Sequence, residues 1–190
     1  MVNQENFIGF YNLDYKICDE LINLHKNSNK KYKGRIVDPD NLQLNTNTNM
    51  KDSTDVNFFK EEMIQEPIIV KYLDYLKSFV NDYMKKYEQA GDGFKLKIIE
   101  LNVQHYEPKG GFKVFHYENG TKDTINRHLV FMTYLNNVED GGTIFKYQNL
   151  ITPANKGSTL IWPANWTHTH KGQITDSSEK YIITGWLERE

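Results

Sequence analysis

The sequence predicts an α+β fold in which helices pack against a β-sandwich or jelly roll of antiparallel strands. In the first half, two segments repeat apolar residues at helical spacing. From Phe94 onward, short runs of β-branched and aromatic residues alternate with turn signals. Helices followed by at least six short strands favour this architecture. With no internal repeat or obvious linker, we expect one domain over residues 1–190, with 1–93 mainly helical support and loop and 94–190 the β-core.

The first predicted helix covers about residues 14–27. Ile17 and Leu21 lie on one apolar stripe, and Asp14 is placed to cap the start. The second helix lies within residues 64–91, where apolar side chains recur at steps of three and four, and it ends at Gly91. Both helices are expected to pack on the sheet as a buttress.

The segment between the helices is rich in Asn, Lys, Asp and Ser and has weak periodicity. This composition predicts a long loop carrying at most one short strand. Long loops inside compact domains are often functional, so residues 28–58 are a candidate cover for an active site. The basic run at 27–35 is interpreted as a solvated loop.

The second half is predicted to be all β. The turn signal "EDGG" at 139–142 predicts a hairpin, and "WPAN" marks another break. The candidate strands are the runs "KLKIIELNVQHY", "FKVFHY", "RHLVFMTYLN", "TIFKYQ", "STLIW" and "KYIITGWLE".

Charge and cysteine content restrict the partners and the compartment. The chain has 23 Lys and Arg against 25 Asp and Glu, a formal net charge of -2, so no global basic field attracts nucleic acid or an anionic membrane. A lone cysteine, Cys18, excludes an internal disulfide and suits a reducing compartment. With no secretory signal and no apolar run long enough to cross a bilayer, we expect a cytoplasmic protein.

Two pairs of polar residues are candidates for a metal site. His116 and Glu118, in "FHYENG", are two positions apart in an expected strand and would point to the same side. His168 and His170, in "WTHTHKG", would likewise share one face. Two imidazoles and one carboxylate are the ligand set of non-haem Fe(II) oxygenases. Geometry alone does not choose between His168 and His170, and the alternative for His116 and Glu118 is a solvated strand end.

A third feature is the strand that begins at Lys180. Lys180, Ile182, Thr184 and Trp186 face one way on this strand. A cation and a hydroxyl beside apolar walls could hold a small dicarboxylate, because charge pairing is stronger in a partly apolar pocket than in water. The alternative is a strand-end lysine that reaches solvent.

Together these residues resemble the prolyl 4-hydroxylase-like branch of the 2-oxoglutarate- and Fe(II)-dependent dioxygenases. The family's motif elements recur in order as His116-Tyr117-Glu118, His170-Lys171-Gly172, Lys180 and Trp186. The resemblance is sharpest from Leu101 onward and is closest in style to versions carried by bacteriophages and marine microbes. One departure is Glu118, which stands where the family usually has Asp.

The resemblance implies a double-stranded β-helix, or cupin-like jelly roll, with His116, Glu118 and His170 as ligands of Fe(II). It prefers His170 to His168 because only His170 has the x-Gly and the ten-residue step to Lys180. Lys180 would pair with the far carboxylate of 2-oxoglutarate. Tyr106, Thr184 and Trp186 would help to hold this cosubstrate.

The resemblance also implies hydroxylation of a peptidyl side chain, first of all proline, with 2-oxoglutarate and O2 as cosubstrates and ascorbate as a candidate auxiliary. The expected partner is a proline-containing polypeptide rather than a small molecule, a nucleic acid or a membrane, in the cytoplasm of a bacterial or phage-infected cell. Two alternatives remain open. One is a 2-oxoglutarate oxygenase that acts on a free amino acid, another small molecule or a nucleobase, and the other is a non-catalytic cupin-like binding module.

The remaining polar and aromatic candidates receive structural interpretations. Trp162 and Trp166 flank a turn and are expected to be packing or rim residues. His105 and His128 lie in apolar strands and are expected to be satisfied by hydrogen bonds. Arg127 is expected in solvent at a strand end, and Cys18 is expected to be buried.

Overall fold

The computed structural model describes residues 5–37 and 43–190. The three α-helices are α1 (Tyr15–Asn27), α2 (Lys60–Met63) and α3 (Pro67–Lys86), and two 3₁₀ helices cover Glu88–Ala90 and Trp166–His168. The strands are β1 (Gly9–Asn12), β2 (Tyr32–Lys33), β3 (Ile36–Val37), β4 (Leu44–Asn45), β5 (Lys51–Asp52), β6 (Thr54–Phe59), β7 (Leu96–Lys97), β8 (Glu100–Tyr106), β9 (Gly111–Phe112), β10 (Arg127–Tyr134), β11 (Val138–Phe145), β12 (Leu150–Ala154), β13 (Ser158–Pro163), β14 (His170–Gly172) and β15 (Lys180–Arg189).

Most of the described strands form two facing antiparallel sheets, and the pairs β3-β4 and β5-β9 form two small sheets of their own. The major sheet has the order β1-β13-β10-β15-β8-β6-β2, with β7 also paired to β15, and the minor sheet has the order β12-β11-β14. The helices cover one face of the major sheet, and the other face looks towards the minor sheet across a cavity. The predicted fold class, a jelly-roll β-core with a helical buttress, is confirmed.

The two predicted helices are present. In α1, the Asp14 side chain accepts a hydrogen bond from the Lys16 backbone N–H, and Ile17 and Leu21 are buried. Helix α3 begins at Pro67, whose missing N–H costs nothing in a first turn. It ends at Lys86, before the expected Gly91, because the chain tightens there into the first 3₁₀ helix.

The segment between the helices is not the predicted loop with at most one strand. Its described residues contain five strands, β2 to β6, and β6 pairs with β8 along its whole length in the major sheet. Val56 and Phe58 of β6 are buried in the core, whereas Asp55 and Asn57 alternate with them and line the cavity. The polar cavity face explains why this strand has the composition of a loop. Part of the expected segment, residues 38–42, lies outside the described residues.

The "EDGG" segment does not form the hairpin turn. Residues 139–142 lie inside β11, where the pairing with β12 shifts register between Val138 and Thr143. The turn that joins these two strands covers residues 146–149. Asp140 has a φ of 53°, so the Asp and Gly residues here serve an irregularity within the strand.

Within the described part of the chain, no helix combines the length and apolar composition that a membrane crossing requires. Cys18, a residue of α1, is fully buried as expected.

Candidate functional site

Three side chains with metal-binding atoms converge in the cavity between the sheets. The ligand atoms of His116, Glu118 and His170 all lie within 4.8 Å of one another. The Nε2 atoms of His116 and His170 lie 3.4 Å and 3.5 Å from the same Glu118 oxygen, Oε1. In residues 5–37 and 43–190, no other group of three His, Cys, Asp or Glu side chains meets in this way.

The backbone brings the two histidines together. His116 and His170 form an isolated antiparallel bridge, in which each backbone N–H donates to the other's carbonyl at 2.9 Å. The expectation that His116 and Glu118 lie in a regular strand is wrong, because β9 ends at Phe112 and only this bridge continues the pairing. The side chains of His116 and Glu118 nevertheless point to the same side, into the cavity.

The second nitrogen of each imidazole is also engaged. Nδ1 of His116 lies 3.0 Å from the Val114 carbonyl oxygen, and Nδ1 of His170 lies 2.9 Å from the His168 carbonyl oxygen. An Nδ1–H that donates to a carbonyl leaves the lone pair of Nε2 free to bind a metal. The tautomer that the site needs is therefore set by the backbone.

Electrostatics favour the protonation states that metal binding requires. Burial alone would raise the pKa of Glu118, but the hydrogen bond and charge of His116 and the charges of His170 and Arg127 outweigh it and lower the pKa to about 2. Burial lowers the pKa of His170 to about 4. At neutral pH the site thus offers a carboxylate and an unprotonated imidazole, and this donor set fits Fe(II) with three open coordination positions.

Aromatic side chains pack around the histidines. The Phe112 ring stacks on the His116 ring, with centroids 3.6 Å apart and planes 13° apart. Trp162 and Phe145 contact His170, with ring centroids 5.1 Å and 5.6 Å away. These contacts restrict rotation of both imidazoles and keep water from one side of the site.

His168 lies away from this group. It belongs to the second 3₁₀ helix, and its Nε2 lies 2.9 Å from the Asn6 carbonyl oxygen. The expectation that His168 and His170 share a strand face is therefore wrong. The structure places His170 beside Glu118 and gives His168 a hydrogen-bonded position in the packing of the N-terminal segment.

Lys180 is buried rather than solvated, with 5% of its surface exposed. Its ammonium donates hydrogen bonds to the Gly141 carbonyl at 2.8 Å and to the Gln173 carbonyl at 3.1 Å. Burial lowers the pKa of Lys180 to about 8. An ammonium group has three N–H donors, so two are held by backbone carbonyls and one remains for an anion.

The face of β15 named from the sequence does line the cavity, which has a volume of about 1250 Å³. The Tyr106 hydroxyl donates to Gln104 Oε1 at 2.6 Å, and its ring centroid lies 5.4 Å from Lys180 Nζ. The Thr184 hydroxyl donates to the Phe131 carbonyl at 3.0 Å. Trp186 turns its indole N–H to Glu118 Oε2, 3.0 Å away, and so contacts the carboxylate of the candidate metal site.

Arg127 is not the solvated strand-end residue that we expected. Its side chain is 16% exposed, its Nη2 lies 3.2 Å from Glu100 Oε1, and its guanidinium carbon lies 3.4 Å from the centre of the Trp186 ring. The ladder between β10 and β15 shifts register between Arg127 and Leu129. Because of this shift, simple strand alternation could not have placed the side chain.

Two further polar groups of the cavity were missed from the sequence. Tyr134 lines the wall and shares a hydrogen bond of 2.7 Å with the Thr143 hydroxyl, and the alternation of β10 could have indicated it. Lys51 and Asp55 form a buried ion pair, with Nζ and Oδ2 2.6 Å apart. Their segment has loop-like composition, so no signal in the sequence pointed to them.

The structural interpretations of the other candidates are confirmed. His105 Nε2 lies 3.0 Å from Glu179 Oε2, and His128 Nε2 lies 2.7 Å from the Ala90 carbonyl oxygen. Trp162 is a core residue, whereas Trp166 is an exposed rim residue.

Comparison with known proteins connects this geometry to a family. A family model described as the 2OG-Fe(II) oxygenase superfamily matches residues 101–188, the segment that contains His116, Glu118, His170 and Lys180. No curated protein sequence matches the chain.

Solved structures with the same fold include three prolyl hydroxylases. The viral collagen prolyl hydroxylase of Paramecium Bursaria Chlorella virus-1, in its 2OG complex, has a TM-score of 0.71 and 19% identity, covering 98% of each chain. A prolyl-4-hydroxylase of Pseudomonas putida has a TM-score of 0.70 and 14% identity, covering 96% of this chain and 92% of that one. The prolyl hydroxylase of Trichoplax adhaerens, in complex with a peptide fragment of the hypoxia inducible factor oxygen degradation domain, has a TM-score of 0.70 and 17% identity, covering 96% and 84%.

At these identities the structural matches establish the fold, a double-stranded β-helix, and the family match covers the segment with the candidate site. The description of that family names Fe(II) and 2-oxoglutarate (2OG). The matched segment is a little under half of the chain, and over this segment the chain is similar to the 2OG-Fe(II) oxygenase superfamily.

Proposed function

We propose that this protein hydroxylates a proline side chain within a polypeptide, with Fe(II), 2-oxoglutarate and O2. The observation that carries the proposal is that the His116, Glu118 and His170 cluster and the buried Lys180 ammonium line one cavity. A site for a metal and a site for a carboxylate thus lie in the same space, as cosubstrate chelation requires. The prolyl hydroxylases with the same fold support proline as the target.

His116, Glu118 and His170 would hold Fe(II) through Nε2, Oε1 and Nε2. When bound, Fe(II) and 2-oxoglutarate would supply the oxygen chemistry: 2-oxoglutarate would lose its 1-carboxylate as CO2 and take up one oxygen atom of O2 to become succinate, and the other oxygen atom would convert a substrate C–H bond to C–OH. The protein's own contribution is to hold these groups, to orient the substrate and to limit side reactions. The aromatic packing around both histidines serves the last of these tasks.

Lys180 would bind the far carboxylate of 2-oxoglutarate. Its ammonium is fixed by the Gly141 and Gln173 carbonyls, so little side-chain freedom is lost on binding. Because Lys180 is buried, its attraction to a bound carboxylate should be stronger than that of a lysine at the surface. Tyr106 and Thr184 would shape the walls beside the cosubstrate, since both line the cavity.

The open side of the cavity favours a polypeptide over a small molecule. Phe115 and Tyr117 are both cavity-lining and more than 40% exposed, which places apolar rings at the rim. A small-molecule pocket would be expected to enclose most of its ligand. No comparable observation favours the two alternatives left open by the sequence. These are an oxygenase that acts on a free amino acid, another small molecule or a nucleobase, and a binding module without turnover.

The proposal includes the setting in which the enzyme acts. Residues 1–190 would function as one domain, because β6 of the first half and β8 of the second half are adjacent in the major sheet. A cytoplasmic location would suit the single, buried cysteine Cys18.

The test is anaerobic loading with Fe(II), addition of 2-oxoglutarate and O2, and incubation with proline-rich peptides. We expect succinate formation together with a mass gain of one oxygen atom on a proline, and loss of both in His116→Ala and His170→Ala. Succinate release without a modified proline, but with a hydroxylated amino acid or nucleobase, would favour the alternative substrates. Absence of turnover with all of these in a metal-loaded protein would favour the binding module.

A further inference from the structure

The two oxygens of the Glu118 carboxylate have different surroundings. Oε1 faces both imidazoles, 3.4 Å from His116 Nε2 and 3.5 Å from His170 Nε2. Oε2 accepts a hydrogen bond of 3.0 Å from the indole N–H of Trp186. One oxygen is therefore presented to the metal position while the other is held by the protein.

The Trp186 indole is itself fixed. It lies on β15 opposite Val130 of β10, and the Arg127 guanidinium stacks on its ring at 3.4 Å. Arg127 is anchored by Glu100, with Nη2 and Oε1 3.2 Å apart, and its Nη1 lies 3.7 Å from Glu118 Oε2. The donor that meets Oε2 thus belongs to a half-buried, stacked pair of side chains.

The backbone end of Glu118 is fixed as well. Its N–H donates to the Ala164 carbonyl at 2.9 Å. The carboxylate must span from this anchored backbone to both Trp186 and the histidines. Aspartate is shorter by one carbon–carbon bond, about 1.5 Å. It could not meet Trp186 and the metal position together unless the backbone moved.

We infer that Trp186, stacked on Arg127, is a positioning residue that holds Glu118 as a single-oxygen metal ligand, and that the site is matched to glutamate rather than to aspartate. The inference rests on the metal role assigned to Glu118 in the proposed function. It does not depend on which substrate is hydroxylated. It explains how the site accommodates a glutamate at a position where its longer side chain could otherwise bind through both oxygens.

The experiment is a double-mutant cycle on metal affinity, with Glu118→Asp, Trp186→Phe and the double variant. Mn(II) binding is measured by titration calorimetry, and the coordination sphere is monitored by the absorption spectrum of the Co(II)-loaded protein. Loss of a partner that orients a ligand typically weakens metal binding about 10- to 100-fold. We therefore expect the Mn(II) affinity of each single variant to be lower than that of the native protein by about this factor. In the Glu118→Asp background, Trp186→Phe should lower the Mn(II) affinity by less than about twofold, because the hydrogen bond between the indole N–H and the carboxylate is already lost.

Two controls test whether a loss of metal affinity is specific to Trp186 and independent of misfolding. Trp166→Phe is the matched control, because Trp166 is 63% exposed, and it should leave Mn(II) affinity and the Co(II) spectrum unchanged. Phenylalanine at 186 retains a ring for Arg127 to stack on, and thermal unfolding of each variant checks the fold. If Trp186→Phe does not fold, the Mn(II) affinity of Glu118→Asp relative to the native protein still tests whether the site is matched to glutamate.

Two results would overturn the inference: Glu118→Asp binding Mn(II) as tightly as the native chain, or Trp186→Phe weakening binding equally in both backgrounds. Failure of the proposed substrate is a separate outcome. A native protein that binds Mn(II) and 2-oxoglutarate but hydroxylates no proline would contradict the proposed function and leave this inference standing. A native protein that binds no divalent metal would remove both.

Discussion

Lys51 and Asp55 form an ion pair of 2.6 Å in the wall of the cavity, where their side chains are only 7% and 2% exposed. Lys51 belongs to β5, which pairs with β9, and Asp55 belongs to β6 of the major sheet. The pair thus ties the short strands beside the site to the large sheet. Gln104 Nε2 adds a longer hydrogen bond to the same Asp55 oxygen, at 3.4 Å.

Removal of the Lys51 cation should be strongly destabilising. Lys51→Met leaves Asp55 as a buried, unpaired carboxylate, which typically costs about 3–5 kcal/mol. Urea unfolding followed by circular dichroism measures the loss. Lys85→Met is the matched control, since Lys85 pairs with Asp82 at the exposed surface of α3, and it should cost less than about 1 kcal/mol. Equal losses in the two variants would mean that the buried pair contributes no more than a surface pair.

Binding of 2-oxoglutarate should weaken at alkaline pH. Burial lowers the pKa of Lys180 to about 8, and a bound carboxylate would raise it again. Below about pH 8 the free protein already carries the charge and the affinity should be flat. Above that value the ligand must bind a neutral amine or recruit a proton, so the affinity should fall by up to about tenfold per pH unit.

Titration of 2-oxoglutarate into the Mn(II)-loaded protein without oxygen, from about pH 7 to about pH 10, measures this dependence. Lys180→Met is the control, and it should bind weakly and show no such pH dependence. A native affinity that stays constant across the range would exclude Lys180 as the group that holds the cosubstrate.

Replacement of individual histidines should separate ligands from packing residues. His116→Ala and His170→Ala each remove one of the three proposed ligands and should abolish measurable Fe(II) or Mn(II) binding. His168→Ala should retain it, because Nε2 of His168 is engaged with the Asn6 carbonyl instead. Metal retained by His170→Ala and lost in His168→Ala would reverse the ligand assignment.

Phe112 should contribute to metal affinity without touching the metal. Phe112→Ala removes the ring that stacks on His116 at 3.6 Å and frees the imidazole to rotate. We expect metal binding to weaken about 10-fold or more, as for other groups that orient a ligand. Phe115→Ala is the neighbouring control, since Phe115 is 42% exposed at the rim, and its Mn(II) affinity should stay near that of the native protein.

The elements that the sequence predicted well are those with a single dominant periodicity. The stripe with Ile17 and Leu21 located α1, and the alternation from Lys180 to Trp186 located the cavity face of β15. Strand β6 escaped prediction because its cavity face is polar, so that Asp55 and Asn57 made a sheet strand look like a loop.

Other errors arose where pairing is irregular. Beside the register shift in β10, Arg127 stacks on Trp186, whereas we expected it at the surface. The glycines that we expected to form a turn lie at the register shift in β11. Such register shifts cannot be predicted from the sequence of one strand, because they depend on which strand lies opposite. The spacing of His116 and Glu118 was informative even so, since two-residue spacing aligns side chains in any extended backbone.

The backbone bridge between His116 and His170 has a consequence for how the protein gains and loses its metal. The two imidazoles proposed as ligands are already neighbours through a pair of backbone hydrogen bonds formed by the fold itself, so metal binding should require little ordering of the chain. In small zinc domains, by contrast, the metal supplies the folding free energy. This chain should therefore stay folded when a chelator strips its iron, and re-addition of the ion should restore the site without a refolding step.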